Sequence, residues 1–122
     1  MQYDDFVRSV AERAGIESRP EAERTVLGVL QALCDRISRK EGYDLLAQLP
    51  ARLKRRIKPT VARIPMAPAD FVDRVARELE IPAEEACERV RAVFATLRQA
   101  VTWGELEDVV LELEPGYADL LA

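Results

Sequence analysis

The side chains best suited to chemistry form a basic segment between positions 51 and 64. Its six cations, with no acidic residue among them, are Arg52, Lys54, Arg55, Arg56, Lys58 and Arg63. Cationic groups at this density can hold phosphate, so an anion-binding module for nucleic acid or anionic lipid is the alternative function. We favour a solvated helix face, because Leu49, Leu53 and Ile57 recur every four residues as a stripe to be buried.

Other catalytic and metal-binding groups are poorly represented. The chain has no histidine, which excludes imidazole acid–base catalysis, imidazole metal ligands and triads that need this ring. Carboxylates are plentiful, but the usual di-metal motif of helical bundles pairs Glu with His three residues later. We therefore expect these carboxylates to lie on exposed helix faces. We predict no catalytic residue, no cofactor and no metal site. The carboxylates concerned are Glu84, Glu85, Glu88, Glu105, Glu107, Asp108 and Glu112.

The two cysteines, Cys34 and Cys87, have apolar neighbours at helical spacing and are expected to be free thiols in the core. A nucleophilic cysteine needs a group that stabilises its thiolate, and no histidine can do so here. The five glycines are isolated from one another and form no phosphate-binding loop. The sequence therefore predicts that the protein is not an enzyme.

Two aromatic residues are candidates for a binding surface, Tyr43 and Trp103. Trp103 occupies the first position of a predicted helix, where the shared core does not require it. An indole at this point either covers the core of the second half or anchors a partner. We expect it to cover the core.

An internal repeat positions these residues. Asp5-Phe6-Val7 recurs as Asp70-Phe71-Val72 at an offset of 65, and the apolar residues of the next helix recur at an offset of 64. Ser38 and Thr102 head equivalent helices, each with a glutamate three residues later as in a capping box. Because most matched positions are apolar or caps, the duplication preserves a fold rather than a chemical site.

Each half predicts three helices, so the expected fold is all-α, a compact six- to seven-helix bundle of two duplicated three-helix units. The pseudo-repeats cover residues 1–58 and 66–122, joined by a proline-containing linker over 58–68. Since a three-helix unit of this size is marginal alone, we expect one domain over 1–122. Gly28 and its counterpart Ala92 predict a close approach of helices.

Charge is divided unequally between the halves. Residues 1–64 carry 13 basic and 9 acidic groups, net +4, whereas residues 65–122 carry 5 and 13, net −8. This polarity favours contact between the halves or head-to-tail association of copies, and the acidic half repels nucleic acid. No basic leader and no long apolar run is present, so we predict a cytoplasmic protein without a transmembrane segment.

The sequence also resembles a known family. Asp-Phe-Val-x-x-Val-Ala near the start, a long Ala/Val/Leu helix, and Ile-Ser-x-x-Glu-x-x-Asp-Leu-x-x-Gln-Leu-Pro over 37–50 are similar to the bacterial family catalogued as domain of unknown function 2267. The resemblance covers nearly the whole chain and implies a bacterial source and an all-helical fold. It transfers no functional residue. The predicted function is a non-catalytic helical module that binds a protein partner or itself.

Overall fold

A computed structural model describes residues 1–61 and 63–121, and within these ranges it contains eight helices and no strand. The helices are α1 (Tyr3–Ala14), α2 (Arg19–Arg36), α3 (Arg39–Ala47), α4 (Ala51–Arg56), α5 (Pro68–Leu79), α6 (Ala83–Ala100), α7 (Trp103–Leu111) and α8 (Tyr117–Leu121). The all-α prediction is confirmed; α4 and α8 are the two short helices. Ala62, within the predicted linker, lies outside the described residues.

Helix lengths agree in pairs along the chain. α1 and α5 have 12 residues each, α2 and α6 have 18, and α3 and α7 have 9. The first helix of each half ends on a left-handed residue, Gly15 with φ 68° and Glu80 with φ 57°. These pairs are what the predicted repeat requires, while the duplication itself stays a prediction.

The core is shared between the two halves. α1 packs against both α2 and α6, and α5 packs against both α6 and α2. Phe71 and Phe94 meet with ring centroids 6.0 Å apart, and Tyr117 of α8 packs edge-on against Phe71 at 5.6 Å. The Tyr117 hydroxyl donates to the carbonyl of Met66 at 2.8 Å, which fastens α8 to the segment before α5. One hydrophobic cluster therefore includes apolar residues from both halves.

A buried arginine ties the end of α2 to two distant segments. Arg36 donates to the Glu114 carboxylate and, at 2.7 Å, to the carbonyl of Glu112. Glu114 also accepts the backbone N–H of Met66 at 2.9 Å. Burial raises the pKa of Glu114, but the hydrogen bonds from Arg36 and Met66 outweigh it and leave that pKa below the ordinary 4.5.

Two glycines face neighbouring segments of the chain. A Cβ at Gly28 of α2 would lie 3.6 Å from Leu79 Cδ2 of α5, an ordinary contact, so an alanine would fit there and the predicted close approach does not require glycine. The tight position is Gly42 in α3, where a Cβ would lie 2.9 Å from the Cβ of Pro59. Sequence pattern singled out Gly28 as a close approach because its counterpart Ala92 is also small. The contact at Gly42 was not predictable in this way, because Pro59 comes from 17 residues further along the chain.

Both cysteines are free, as predicted. Cys34 is buried, and this burial raises the pKa of its thiol to about 12, with a smaller contribution from the charge of Asp35. Cys87 is half-buried and packs at the edge of the core. A thiol held protonated in the core, as at Cys34, is a packing group rather than a nucleophile.

Candidate functional site

Helices α3 and α7 pack together, each capping the other. The Ser38 hydroxyl accepts the N–H of Glu41 at 3.2 Å and the Thr102 hydroxyl accepts that of Glu105 at 3.3 Å, as the predicted capping boxes require. The other half of each predicted capping box, in which the glutamate side chain accepts the N–H of the cap residue, is wrong. Ser38 N–H donates instead to Glu112 at 2.6 Å, the C-cap of α7, so the start of α3 meets the end of α7.

The second cross-cap runs in the opposite direction. Thr102 N–H donates to the side-chain oxygen of Gln48, the C-cap of α3, at 2.8 Å. Because each helix start meets the other helix's end, α3 and α7 lie antiparallel. Glu41 and Glu105, in the first turns of α3 and α7, therefore do not accept the N–H of their own helix's cap residue.

These two glutamates lie in the interface and, with Asp108, define a carboxylate cluster. Glu41 and Glu105 are 8% and 9% exposed, which corrects the prediction that Glu105 lies on an exposed face. One carboxylate oxygen each of Glu41, Glu105 and Asp108 lies within 4.8 Å of the other two. The remaining predicted carboxylates are on the surface except Glu112, which is half-buried; the exposed ones are Glu84, Glu85, Glu88, Glu107 and Asp108.

Electrostatics in the carboxylate cluster oppose full ionisation. Burial raises the pKa of Glu105 to about 7, helped by the nearby charges of Glu41 and Asp44. Burial also raises the pKa of Glu41, as do the charges of Asp108 and Glu112. Asp44 is paired with Lys40 at 2.9 Å. The cluster is therefore a pocket of negative potential that suits a proton or a cation.

Trp103 does not cover the core; it is 71% exposed, so that expectation is wrong. It stands at the first position of α7, one turn before Leu106. It forms the rim of a groove between α7 and α8 with a volume of about 450 Å³, here called the α7–α8 groove. The lining residues are Arg98, Trp103, Leu106, Glu107, Val110, Leu111, Ala118 and Leu121.

The corresponding face of α3 is covered. In the predicted repeat, Gly42 is the counterpart of Leu106 and Cys34 the counterpart of Arg98. Pro59 packs against Gly42, beside Cys34, and both Ile57 and Pro59 are buried. The chain's own segment thus occupies on α3 the place that is open on α7. Sequence reasoning missed this groove, although Trp103, Leu106 and Val110 form a helical stripe.

The second aromatic candidate, Tyr43, lies on α3 and is 51% exposed. The guanidinium of Arg39 lies 5.6 Å from the centre of its ring, within the range of a cation–π contact. Tyr43 is not among the residues that line the α7–α8 groove. The structure therefore places the two aromatic candidates in different surroundings.

The basic segment surrounds a buried stripe. Leu49, Leu53 and Ile57 are buried, as predicted. The side chains around them are exposed and, in the described part of the chain, none forms an ion pair; they are Arg52, Lys54, Arg55, Arg56 and Lys58. The Arg52 guanidinium lies 4.4 Å from the ring centre of Tyr3, and Arg63 donates to the Glu112 carbonyl at 2.7 Å.

None of the described helices combines the length and the apolar character that crossing a bilayer requires.

A match to a family model confirms the predicted family resemblance. The sequence model of the family described as "Uncharacterized conserved protein (DUF2267)" matches residues 3–120. No curated protein matches the chain. The family match includes α1 to α7 and most of α8, and with them the carboxylate cluster and the lining of the α7–α8 groove except Leu121. The chain therefore belongs to the DUF2267 family.

Proposed function

We propose that this protein is a non-catalytic interaction module that binds an apolar segment of a partner protein in the α7–α8 groove. The observation that carries the proposal is the exposure of Trp103 (71%) and Leu111 (83%) beside an apolar concavity. Arg98 and Glu107 supply polar groups among the lining residues. Apolar concavities with a few polar groups, and exposed aromatic anchors above all, are typical of sites that bind protein segments.

The chemistry of the partner follows from the first half of the chain. There Pro59 covers the equivalent face of α3, and within Ile57-Lys58-Pro59 two buried apolar residues flank an exposed lysine. The half that carries the α7–α8 groove has net charge −8, which favours a basic partner. The proposed occupant is accordingly a short segment in which apolar and basic residues alternate.

A fluorescence titration tests this proposal, because Trp103 is the chain's one tryptophan and lies at the groove. The probe is a synthetic peptide with the sequence of residues 52–60, which contains the Ile-Lys-Pro segment. We expect saturable binding that survives about 0.5 M salt, since apolar contacts are not screened as surface charges are. A peptide in which Ile57 and Pro59 are replaced by Asp should not bind.

Matched protein variants locate the binding surface. Leu111→Asp places a charge inside the α7–α8 groove at an exposed position and should weaken peptide binding about tenfold or more, the equivalent of losing one apolar contact. Val61→Asp adds the same charge at another exposed apolar residue and should leave affinity unchanged. Equal weakening by both variants, or binding that disappears at high salt, would contradict the proposal.

The mass of the protein in solution, measured by light scattering, shows whether a second copy of the chain occupies the α7–α8 groove. If light scattering shows a mass that rises with protein concentration, and Leu111→Asp abolishes the rise, the occupant is a second copy of the chain. That outcome would replace the partner segment by self-association through the same groove.

Anion binding by the basic segment is the second candidate, and the observation in its favour is that the exposed cations listed above lack carboxylate partners. Neutralising Lys54, Arg55 and Arg56 together tests it in a titration with mixed-sequence duplex DNA. We expect the native protein to bind at the weak end of non-specific affinity, about 10⁻⁴ M at physiological salt, or not at all. Micromolar binding that the triple variant loses would favour this function instead.

A further inference from the structure

We propose that the carboxylate cluster of Glu41, Glu105 and Asp108 is a binding site for a hard divalent cation that links α3 to α7. The oxygens of these three residues all lie within 4.8 Å of one another. Three equally spaced oxygens bound to one cation at about 2.1–2.6 Å are at most about 3.6–4.5 Å from one another, so a single ion can reach all three side chains after movements of about an ångström or less.

A second observation points to a missing ligand. Glu41 and Glu105 are more than nine-tenths buried, and in the described part of the chain the Oε1 atom of each has no hydrogen-bond partner. Each of these two residues also contributes one carboxylate oxygen to the cluster. A buried carboxylate oxygen without a donor is costly, because it has lost water and gained nothing in return. A bound cation would satisfy both oxygens at once.

The donor set selects the class of cation. All three side chains offer carboxylate oxygen, and the chain has no histidine to supply a nitrogen ligand. Oxygen-only sites suit magnesium, calcium and manganese, whereas structural zinc sites are built from cysteine and histidine. Asp108 is exposed, so the cluster is open to solvent on its side and water can complete the coordination.

The fold explains why the ligands converge. Glu41 and Asp44 on α3 have the same spacing as Glu105 and Asp108 on α7, which places each pair on one face of its helix. The antiparallel packing of α3 and α7 then brings the two faces together, and the cross-caps free the glutamates to point inward. Asp44 is held by Lys40, so the proposal rests on the other three carboxylates.

Thermal unfolding of the full chain, stripped with a chelator, tests the site. Calcium, magnesium and manganese are added separately at about 1 mM, a concentration that covers weak oxygen sites, against a matched concentration of monovalent salt. We expect at least one of them to raise the unfolding midpoint by about 5 °C, because a ligand that binds only the folded state stabilises it. No shift with any of the three would overturn the proposal, and would leave a shared proton as the occupant.

Three variants separate a bound ion from a general effect of charge. Glu105→Gln removes a ligand and relieves like-charge repulsion, so it should melt no lower than the native chain in chelator and show no cation-dependent shift. Asp108→Asn changes an exposed ligand, leaves the fold intact and should reduce affinity at least tenfold. Glu88→Gln, an exposed acid on α6, should keep the full shift. A shift that persists undiminished in Asp108→Asn would overturn the proposal.

Manganese, which is paramagnetic, also locates the bound ion. Paramagnetic broadening of amide signals should be confined to the parts of α3 and α7 that carry Glu41, Glu105 and Asp108. Broadening at the exposed acids of α6, with those of α7 unaffected, would place the ion elsewhere and overturn the assignment. The peptide titration of the α7–α8 groove is done in chelator, so its outcome is independent of this one.

Discussion

Among single residues, Glu114 holds distant segments together. Its carboxylate is shared between the buried Arg36 and the backbone of Met66. Removing it would leave the buried Arg36 guanidinium with the Glu112 carbonyl but without its carboxylate partner, and the Met66 N–H without its acceptor. Such losses cost more than the hydrogen bonds contribute.

We therefore expect Glu114→Ala to lower the free energy of unfolding at pH 7 by about 2–3 kcal/mol, measured by urea denaturation. Because the folded-state pKa of Glu114 lies below the ordinary 4.5, its contribution is present above that pH and is lost as pH falls through the folded-state pKa. The difference between native and variant chains should accordingly shrink in acid. Glu88→Ala, at an exposed site, should show neither effect; a difference independent of pH would contradict this account.

At the scale of helices, the cross-caps make the stability of α7 depend on α3. Gln48→Ala removes the side chain that accepts Thr102 N–H and should cost about 1 kcal/mol, as the loss of an N-cap does. Thr102→Ala should cost a similar amount, and the double variant less than the sum, because the Gln48 side-chain nitrogen also donates to the Thr102 hydroxyl at 3.3 Å. Gln99→Ala, exposed on α6, is the control. Additive losses in denaturant unfolding would mean that the two side chains act separately.

Helix positions were predictable because the signals for them are local. The caps predicted at Ser38 and Thr102 stand directly before α3 and α7, which begin at Arg39 and Trp103. Nothing local shows that Glu112 would replace Glu41 as the acceptor for the Ser38 N–H, since Ser38 and Glu112 lie 74 positions apart and meet through packing. For the same reason the sequence predicted exposed acids where α3 and α7 form the carboxylate cluster.

Exposure of Trp103 was also beyond local reasoning. The stripe that it forms with Leu106 and Val110 has the periodicity of a buried face, and a periodicity cannot show whether another segment covers that face. On α3 the cover is Pro59, and on α7 the described residues leave the face open. Candidate binding sites of this kind become visible only when the packing of the whole chain is known.

At the scale of the whole molecule, the two halves are expected to fold as one unit. α1 packs on α6, and α5 packs on α2, so each half covers apolar faces of the other. Fragments covering 1–58 and 66–122 should each show weak helicity by circular dichroism and regain it when mixed, because a three-helix unit of this size buries too little surface alone. A sharp thermal transition of either fragment, matching that of the intact chain, would contradict a shared core.

Under the proposed function, the contact between Pro59 and Gly42 would limit each chain to one bound segment. Since this contact closes the face of α3, the described part of the chain offers an open groove on α7 without a matching one on α3. A monomer would then saturate with a single segment and could not bridge two of them, so it would act as a cap on its target rather than as a crosslinker. Bridging would require two chains, and the valency of any assembly would follow from the number of copies rather than from the duplicated sequence.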